Sequence, residues 1–259
     1  IGGDLKDRDF TVRKYKELLA AFKEAGYNFQ RVEDFVLSPL PKVVILRHDV
    51  DSWPLNALQI AELENTLGIK ATYYFRKSPL SFKESIVKKI VEYEHEIGYH
   101  YEDLSVTNGN YEKAIKRFIE NLSFFRNYYP VTTISMHGRP LSKYDSKDLW
   151  EKYDYHSYGL LAEPYLDIDF NEILYLTDTG NRWDGDKYSI RDYVRSKYSY
   201  GIHNTDEMIK HIHQALLPDR IMLNAHPARW NDNIIKWCIR YYLLTKPKYQ
   251  VKKWIKKLR

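Results

Sequence analysis

The sequence predicts an α/β domain in which parallel strands alternate with outer helices. Short apolar runs of strand type are followed by segments with apolar residues at helical spacing, and this alternation repeats along the 259 residues. No internal repeat, Gly/Ser linker or change of composition divides the chain, so we expect a single domain over residues 1–259. Parallel strands with helical crossovers fit either a closed barrel or an open doubly wound sheet, and periodicity does not separate the two.

The individual elements follow from local patterns. Apolar residues at spacings of three and four mark each helix, and Thr, Asn or Asp before it or Gly after it marks its ends. Short apolar runs bounded by polar residues mark each strand. Helices are predicted from Thr11 to Gly26, over 54–67, from Ser81, from Asn110, and after Asp145, Thr205 and Asn231, and strands over 41–46, 71–75, 96–99, 132–136, 173–177 and 221–225.

The composition excludes several classes of protein. With 44% hydrophobic, 15% aromatic and 29% charged residues, the chain should fold. No stretch approaches the ~20 apolar residues needed to cross a bilayer, so we expect a cytoplasmic protein. A net charge of +5 is too small to indicate a nucleic-acid partner. Because Cys238 is the only cysteine, any metal must be bound by His and carboxylates.

The positive charge is concentrated at the C-terminus. Nine basic residues and no Asp or Glu lie between positions 233 and 259, interleaved with Trp, Ile, Tyr and Leu. This pattern is typical of an outer barrel helix and also of a basic amphipathic segment that binds anionic lipid. We expect a basic helical segment over 231–259, with peripheral membrane contact as a second hypothesis, and the oligomeric state stays open.

Ionisable side chains follow the predicted strands, at the edge where parallel α/β sheets collect their reactive groups. Residues two apart in an extended chain share a face, so Asp49 pairs with Asp51 and His100 with Glu102. Asp51, His100 and one further ligand would form a nitrogen and oxygen site for a divalent metal such as zinc. Asp49 is then placed as general base and His226, from another strand, as general acid. The alternative for the two aspartates is that they cap the following helix.

These residues resemble the polysaccharide deacetylases of the NodB-homology type, carbohydrate esterase family 4. The resemblance extends over roughly residues 41–230, and the run 46–51 looks like the first motif of that family. In that motif one Asp is the catalytic base and a second Asp binds the metal. The likeness implies Asp49 as base and Asp51 as ligand, with one residue between two positions that are adjacent in the usual pattern.

The run 94–100 resembles the segment that leads to the second motif, whose two histidines, four residues apart, both bind metal. His100 matches the first of them, whereas the second falls at Leu104, which cannot bind a metal. Glu102 is the nearest substitute on the same face, and His137 is the alternative. The predicted ligands of the divalent metal, with zinc as the expected ion, are Asp51, His100 and Glu102.

The remaining motifs match less evenly. Arg139 is a loose match to the Arg that orients the base, and Arg47 can take that role instead. The run that ends at His226 is similar to the last motif, whose His is the general acid. Segments 163–165 and 175–183 look like a divergent subgroup associated with bacterial surface-polysaccharide gene clusters. The resemblance implies an incomplete, seven-stranded (β/α) barrel.

The expected function is metal-dependent hydrolysis of an N-acetyl group on a sugar or glycan precursor in bacterial surface-polysaccharide biosynthesis. One alternative is a carbohydrate-binding protein that has lost metal and activity, which the leucine at position 104 supports. Another is a metal-free enzyme that acts on a nucleotide- or lipid-linked sugar. Aromatic rings can stack on a sugar and polar groups can bond its hydroxyls, although each such residue can instead be structural. The predicted substrate-binding residues are Arg47, His48, His137, Arg139, Asp178, Arg182, Trp183 and Trp230.

Overall fold

A computed structural model describes residues 8–139, 141–184, 193–245 and 247. Its centre is a sheet of seven parallel strands in the order β5-β4-β3-β2-β7-β6, with β1 beside the N-terminal half of β2. The strands are β1 Asn28–Gln30, β2 Val43–Val50, β3 Thr72–Phe75, β4 Glu96–Tyr101, β5 Ile134–Met136, β6 Leu174–Thr177 and β7 Arg220–Ala225.

Helices connect the strands, and the polar caps read from the sequence are present. Thr11 accepts a hydrogen bond from the Lys14 amide at 3.1 Å, and Asn110 accepts one from the Lys113 amide at 2.9 Å. The α-helices are α1 Val12–Glu24, α2 Val32–Leu37, α3 Pro54–Thr66, α4 Glu84–Glu92, α5 Asp103–Val106, α6 Tyr111–Arg126, α7 Pro164–Asp167, α8 Thr205–His213 and α9 Ile234–Cys238, with 3₁₀ turns at Ser146–Glu151, Tyr155–Tyr158 and Pro227–Arg229 and a π-helix at Ile239–Thr245.

The sheet separates two apolar cores. Alternate residues of β2 contribute to each: Val43 and Ile45 face the interior of the barrel, and Val44 and Leu46 face the helices. We call these the inner and outer faces. Since all eight residues of β2 are buried, the strand is a continuous core strand, as is usual in parallel sheets covered on both sides.

Side-chain contacts across the inner face show that the sheet is curled. Arg47 on β2 donates to Ser135 Oγ at 2.7 Å, although Ser135 lies on β5, three strands away in the sheet order. In a flat sheet these strands would be about 14 Å apart, which exceeds the length of an arginine side chain. Among the described residues the edge strands β5 and β6 do not pair with each other. The fold is therefore the incomplete (β/α) barrel with seven strands that the resemblance implies.

Two differences from the predicted elements bear on the site. Strand β2 continues to Val50 instead of ending at position 46, so Asp49 lies within the strand. Strand β1 and helix α2 were not predicted, because β1 has only three residues, two of them polar. The basic tail after position 245 lies outside the described residues except for position 247. Within the described ranges, no helix combines the length and the apolar character needed to cross a membrane.

Candidate metal and acid–base site

Three side chains that can bind a metal meet at the C-terminal edge of the sheet. Asp51 follows β2, His100 lies on β4 and His137 follows β5, and one ligand atom from each lies within 4.8 Å of the other two. Asp51 Oδ1 is 3.6 Å from His100 Nε2 and 3.3 Å from His137 Nε2. Two ligands of a tetrahedral zinc ion, each with a bond of 2.0–2.1 Å, lie about 3.4 Å apart. The spacing of the three side chains therefore fits a small divalent cation.

Hydrogen bonds orient both imidazoles for binding through Nε2. His100 Nδ1 lies 2.9 Å from the Ser135 carbonyl oxygen, which can only accept, so Nδ1 carries the proton. His137 Nδ1 lies 2.9 Å from Glu102 Oε2 and donates to that carboxylate. In both rings Nε2 is left with its lone pair, which is the tautomer that a metal requires.

The electrostatics of the three residues favour a cation. Asp51 Oδ1 is buried and accepts no hydrogen bond, so a bound ion would satisfy it. Burial raises the pKa of Asp51, but the charges of His137 and His100 outweigh burial and hold the pKa well below its usual range. Burial lowers the pKa of His100, but Asp49 and Asp51 outweigh it and raise that pKa. The negative charge that raises the pKa of His100 would equally favour a metal ion at Nε2, where metal and proton compete for the same lone pair.

Glu102 lies behind the three residues rather than among them. Its Oε1 accepts from Arg76 at 2.6 Å, while its Oε2 binds His137. Burial raises the pKa of Glu102, but its hydrogen bond to His137 and the charges of His137 and Arg76 outweigh it, lowering that pKa to about 2. The prediction of Glu102 as a ligand is corrected: its alternative, His137, occupies the place. Strand β4 ends at Tyr101, and Glu102 has a ψ of 23°, which is not extended backbone. The alternation of side chains that predicted a shared face for His100 and Glu102 therefore does not reach Glu102.

The predicted base is held ionised beneath the three side chains that can bind a metal. Asp49 is buried on the inner face of β2, and both of its oxygens accept from Arg47 Nη2 at 2.8 Å. Asn224 Nδ2 also donates to it at 3.0 Å. Burial raises the pKa of Asp49, but the charges of Arg47, His100 and His226 outweigh it, lowering the pKa to about 2. Arg47, not Arg139, therefore holds the carboxylate; Arg139 is exposed, and its Nη1 lies 3.6 Å from Glu102 Oε2.

His226 follows β7 and is fixed by a buried carboxylate. Its Nδ1 is 2.7 Å from Asp178 Oδ1, and its amide donates to Asp178 Oδ2 at 2.9 Å. Asp178 also accepts from Arg229 and from the Trp230 indole. Burial raises the pKa of Asp178, but Arg229 and His226 outweigh it, lowering that pKa to about 2. Asp178 is fully buried, so it positions His226, which corrects its prediction as a substrate-binding residue.

His48 lies on the opposite side of the sheet from the three side chains that can bind a metal. It is fully buried, its Nε2 is 2.7 Å from Glu64 Oε1 on α3, and its Nδ1 is 3.3 Å from the Ala225 carbonyl oxygen. Tyr15 and Tyr73 donate to the same Glu64 at 2.6 Å. The prediction of His48 as a substrate-binding residue is corrected, because the alternation of β2 turns His48 outward where Asp49 turns inward.

The predicted aromatic subsite is part of the outer core. Trp183 and Trp230 are both fully buried, with ring centroids 5.7 Å apart, and both pack on Phe10. Neither indole has a face open to a sugar ring, so both predictions are corrected. Arg182 donates to Asp184 Oδ1 at 2.9 Å and contacts His203. Neither partner belongs to the candidate metal-binding or acid–base residues, so the contacts of Arg182 do not connect it to them.

Sequence reasoning did not assign Arg76, Asn224 or Arg229 to the site. Asn224 was detectable, since it lies two residues before His226 and pairs in register with Arg47, which places it on the inner face. Arg76 follows β3 at the same edge of the sheet as the other ionisable groups. The position of Arg229 depends on the 3₁₀ turn after β7, for which the sequence offered no clear signal.

Comparison with known proteins gives matches among solved structures alone. Neither a protein-family model nor a curated protein sequence matches the chain. A mutant of BA3943, described as a CE4 family pseudoenzyme with restored enzymatic activity, is 14% identical with a TM-score of 0.44, over 82% of this chain and 64% of that one. A second BA3943 mutant, described as a CE4 family pseudoenzyme, is 13% identical with a TM-score of 0.44 and the same coverage. Both similar structures are CE4 proteins, and this chain spans less than two thirds of their length.

Proposed function

We propose that the protein hydrolyses the N-acetyl group of a sugar or glycan precursor with the help of a divalent metal ion, zinc in the first instance. The observation that carries this proposal is the convergence of Asp51, His100 and His137 beside an ionised Asp49 and the Asp178–His226 pair. The resemblance of segments 163–165 and 175–183 supports a substrate from bacterial surface-polysaccharide biosynthesis.

The three ligands leave room for chemistry at the ion. Asp51, His100 and His137 supply one carboxylate oxygen and two nitrogens, a donor set that in catalytic zinc sites keeps a further position for water or substrate. A bound divalent ion supplies Lewis acidity, which lowers the pKa of a water and polarises the amide carbonyl. Glu102 keeps His137 in the metal-binding tautomer and orientation through the bond at Nδ1.

Asp49 is the proton acceptor in this proposal. Its Oδ2 is 3.9 Å from His100 Nε2, so the carboxylate lies next to a metal ligand without being needed as one. Arg47 and Asn224 fix its orientation and keep it ionised, so the group is ready to accept a proton from the attacking water. Arg47 is itself fully buried and acts through Asp49.

His226 is the proton donor to the departing amine. Its Nε2 makes no hydrogen bond within the described ranges, whereas Nδ1 is held against Asp178. Asp178 fixes the orientation of the ring through Nδ1, which also lies 2.6 Å from Arg229 Nη1, so that Nε2 is the nitrogen left for proton transfer. Amide hydrolysis requires such a donor, because an amine leaves as a neutral molecule only after it gains a proton.

The first test is metal content with and without the ligands. Protein purified without a chelator or a His-tag should contain about one zinc or similar ion per chain by mass spectrometry, and Asp51→Ala should lose it. His213→Ala, at an exposed position on α8, is the matched control and should keep the ion. Absence of metal after zinc or cobalt is added back would contradict the proposal and favour a sugar-binding protein.

The second test is acetate release from N-acetylated sugars. Asp49→Asn and His226→Ala should each lower the rate by a factor of about 10² or more, the usual contribution of a positioned acid or base. His213→Ala should leave it unchanged. Release that neither substitution affects would remove these residues from the mechanism.

A further inference from the structure

Among the described residues near the candidate site, Arg240 is an arginine that forms no ion pair. Arg240 belongs to the C-terminal helical segment, residues 234–245, whose π-helical part packs on the 3₁₀ turn that follows His226. Its guanidinium lies 5.8 Å from the centroid of the Trp53 ring. Trp53 comes two residues after the metal ligand Asp51, so Arg240 approaches the site from the side of the C-terminal segment.

The turn that carries Trp53 supports this arrangement. Trp53 has a φ of 56° in the left-handed region, which is uncommon for a bulky residue and costs on the order of 1 kcal/mol. This conformation turns the chain between Asp51 and helix α3 and places the indole against Arg240. A residue held in this conformation two positions after Asp51 indicates that the surrounding structure fixes the backbone at this edge of the site.

The guanidinium of Arg240 is partly buried without a carboxylate. Its Nε is buried and makes no hydrogen bond, and within the described ranges the side chain forms no ion pair. Burial and the charge of Arg229 lower the pKa of Arg240 to about 10, and the charges of Asp51 and Asp178 act in the opposite direction. The guanidinium is therefore a cation at neutral pH. An unpaired cation in such a position costs free energy that a bound anion would recover.

The other charges of the site are already matched. Arg47 is paired with Asp49, Arg76 with Glu102, and Arg229 with Asp178. The one site carboxylate outside these pairs is Asp51, whose partners are the two histidines and, in the proposed function, a divalent ion. That ion would bring more positive charge than Asp51 neutralises, so Arg240 would add to an excess of positive charge.

We propose that Arg240 binds a phosphate group carried by the sugar substrate. This inference rests on the proposed function and narrows its substrate to N-acetylated sugars that bear a phosphate. A guanidinium presents a planar fork of donors that matches phosphate oxygens, and its hydrogen bonds to an anion are about twice as strong as neutral ones. We favour phosphate over a carboxylate because its charge of nearly −2 attracts the guanidinium more strongly than the single charge of a carboxylate does, with or without a bound metal.

The test measures binding rather than turnover. Isothermal titration calorimetry in the presence of EDTA compares N-acetylglucosamine 1-phosphate, N-acetylglucosamine and glucuronic acid, so that no bound metal can itself attract the phosphate. The wild-type chain should bind the sugar phosphate at least tenfold more tightly than the neutral sugar, as one charged hydrogen-bonding partner predicts. Arg240→Gln should remove this preference, and Arg240→Lys should keep part of it.

Lys236→Gln is the matched control, since Lys236 is exposed one turn earlier in the same helical segment. It should keep the preference, and circular dichroism should show both Gln variants folded. Equal affinity of wild type and Arg240→Gln for the sugar phosphate would overturn the inference, as would an equal preference for glucuronic acid. A preference that depends on Arg240 in a protein without acetate release would contradict the proposed function alone. Metal-dependent acetate release with no phosphate preference would contradict this inference alone.

Discussion

The assignment of the third metal ligand can be tested by comparing two substitutions at neighbouring residues. In the structure His137 Nε2 faces Asp51 and Glu102 bonds only the far nitrogen of the same ring. His137→Ala removes one of three protein ligands, so zinc should no longer bind stoichiometrically. Glu102→Gln leaves all three ligands in place but weakens the bond that orients His137, and such partners contribute 10- to 100-fold to metal affinity. That factor corresponds to about 1.4–2.7 kcal/mol.

Competition between the protein and a chromogenic chelator for zinc measures both affinities on one scale. Glu120→Gln, on the exposed side of α6, controls for the loss of one negative charge and should leave the affinity unchanged. Loss of zinc in Glu102→Gln together with a merely weakened site in His137→Ala would mean that Glu102 is the ligand, and would refute the geometry described above.

Three further predictions concern stability. Burial raises the pKa of Glu96 to about 7, above its ordinary value of 4.5, so the folded chain keeps a proton that the unfolded chain releases. Glu96 should therefore contribute a fall of about 3 kcal/mol in the free energy of unfolding as pH rises from 4.5 to 7, and urea titrations of Glu96→Gln should show a pH profile flatter than that of the wild type by this amount; parallel pH profiles would contradict this. A Cβ on Gly98 would overlap the Tyr74 ring, so Gly98→Ala should lower the free energy of unfolding by about 1–3 kcal/mol, and an unchanged denaturation midpoint would contradict the packing. Trp183→Ala should cost about 3–5 kcal/mol of stability because the ring is fully buried, whereas weaker sugar binding at unchanged stability would restore it as a stacking residue.

The elements that local pattern determines were predictable. Helix α1 begins after Thr11, as predicted, because the cap and the apolar spacing act within a single helix. Strand β1 was missed because three residues carry too little pattern, and its place is fixed by pairing with β2. The curling of the sheet into an incomplete barrel could not be predicted from periodicity for the same reason, since it depends on contacts such as Arg47 to Ser135 between distant segments.

The site was predictable where strands are regular. The alternation of β2 puts Asp49 on the same face as Val43 and Ile45, and the same rule, applied to His48, would have turned that residue to the other face. The rule failed at Glu102 because β4 has already ended. The burial of the tryptophans could not be predicted, since it results from packing between Phe10 and segments more than 170 residues away in sequence.

An incomplete motif in the sequence does not imply an incomplete set of donors in space. Leu104, at the position where the second histidine of the resembled motif falls, is buried in the outer core on α5. A second imidazole that could bind a metal lies instead just after the neighbouring strand, at His137. The His137 amide donates to the Tyr101 carbonyl oxygen at 2.7 Å, which ties the end of β5 to the end of β4 one residue from His100. Because adjacent parallel strands end side by side, a histidine after β5 reaches the same point as one after β4, provided that a partner such as Glu102 fixes its ring.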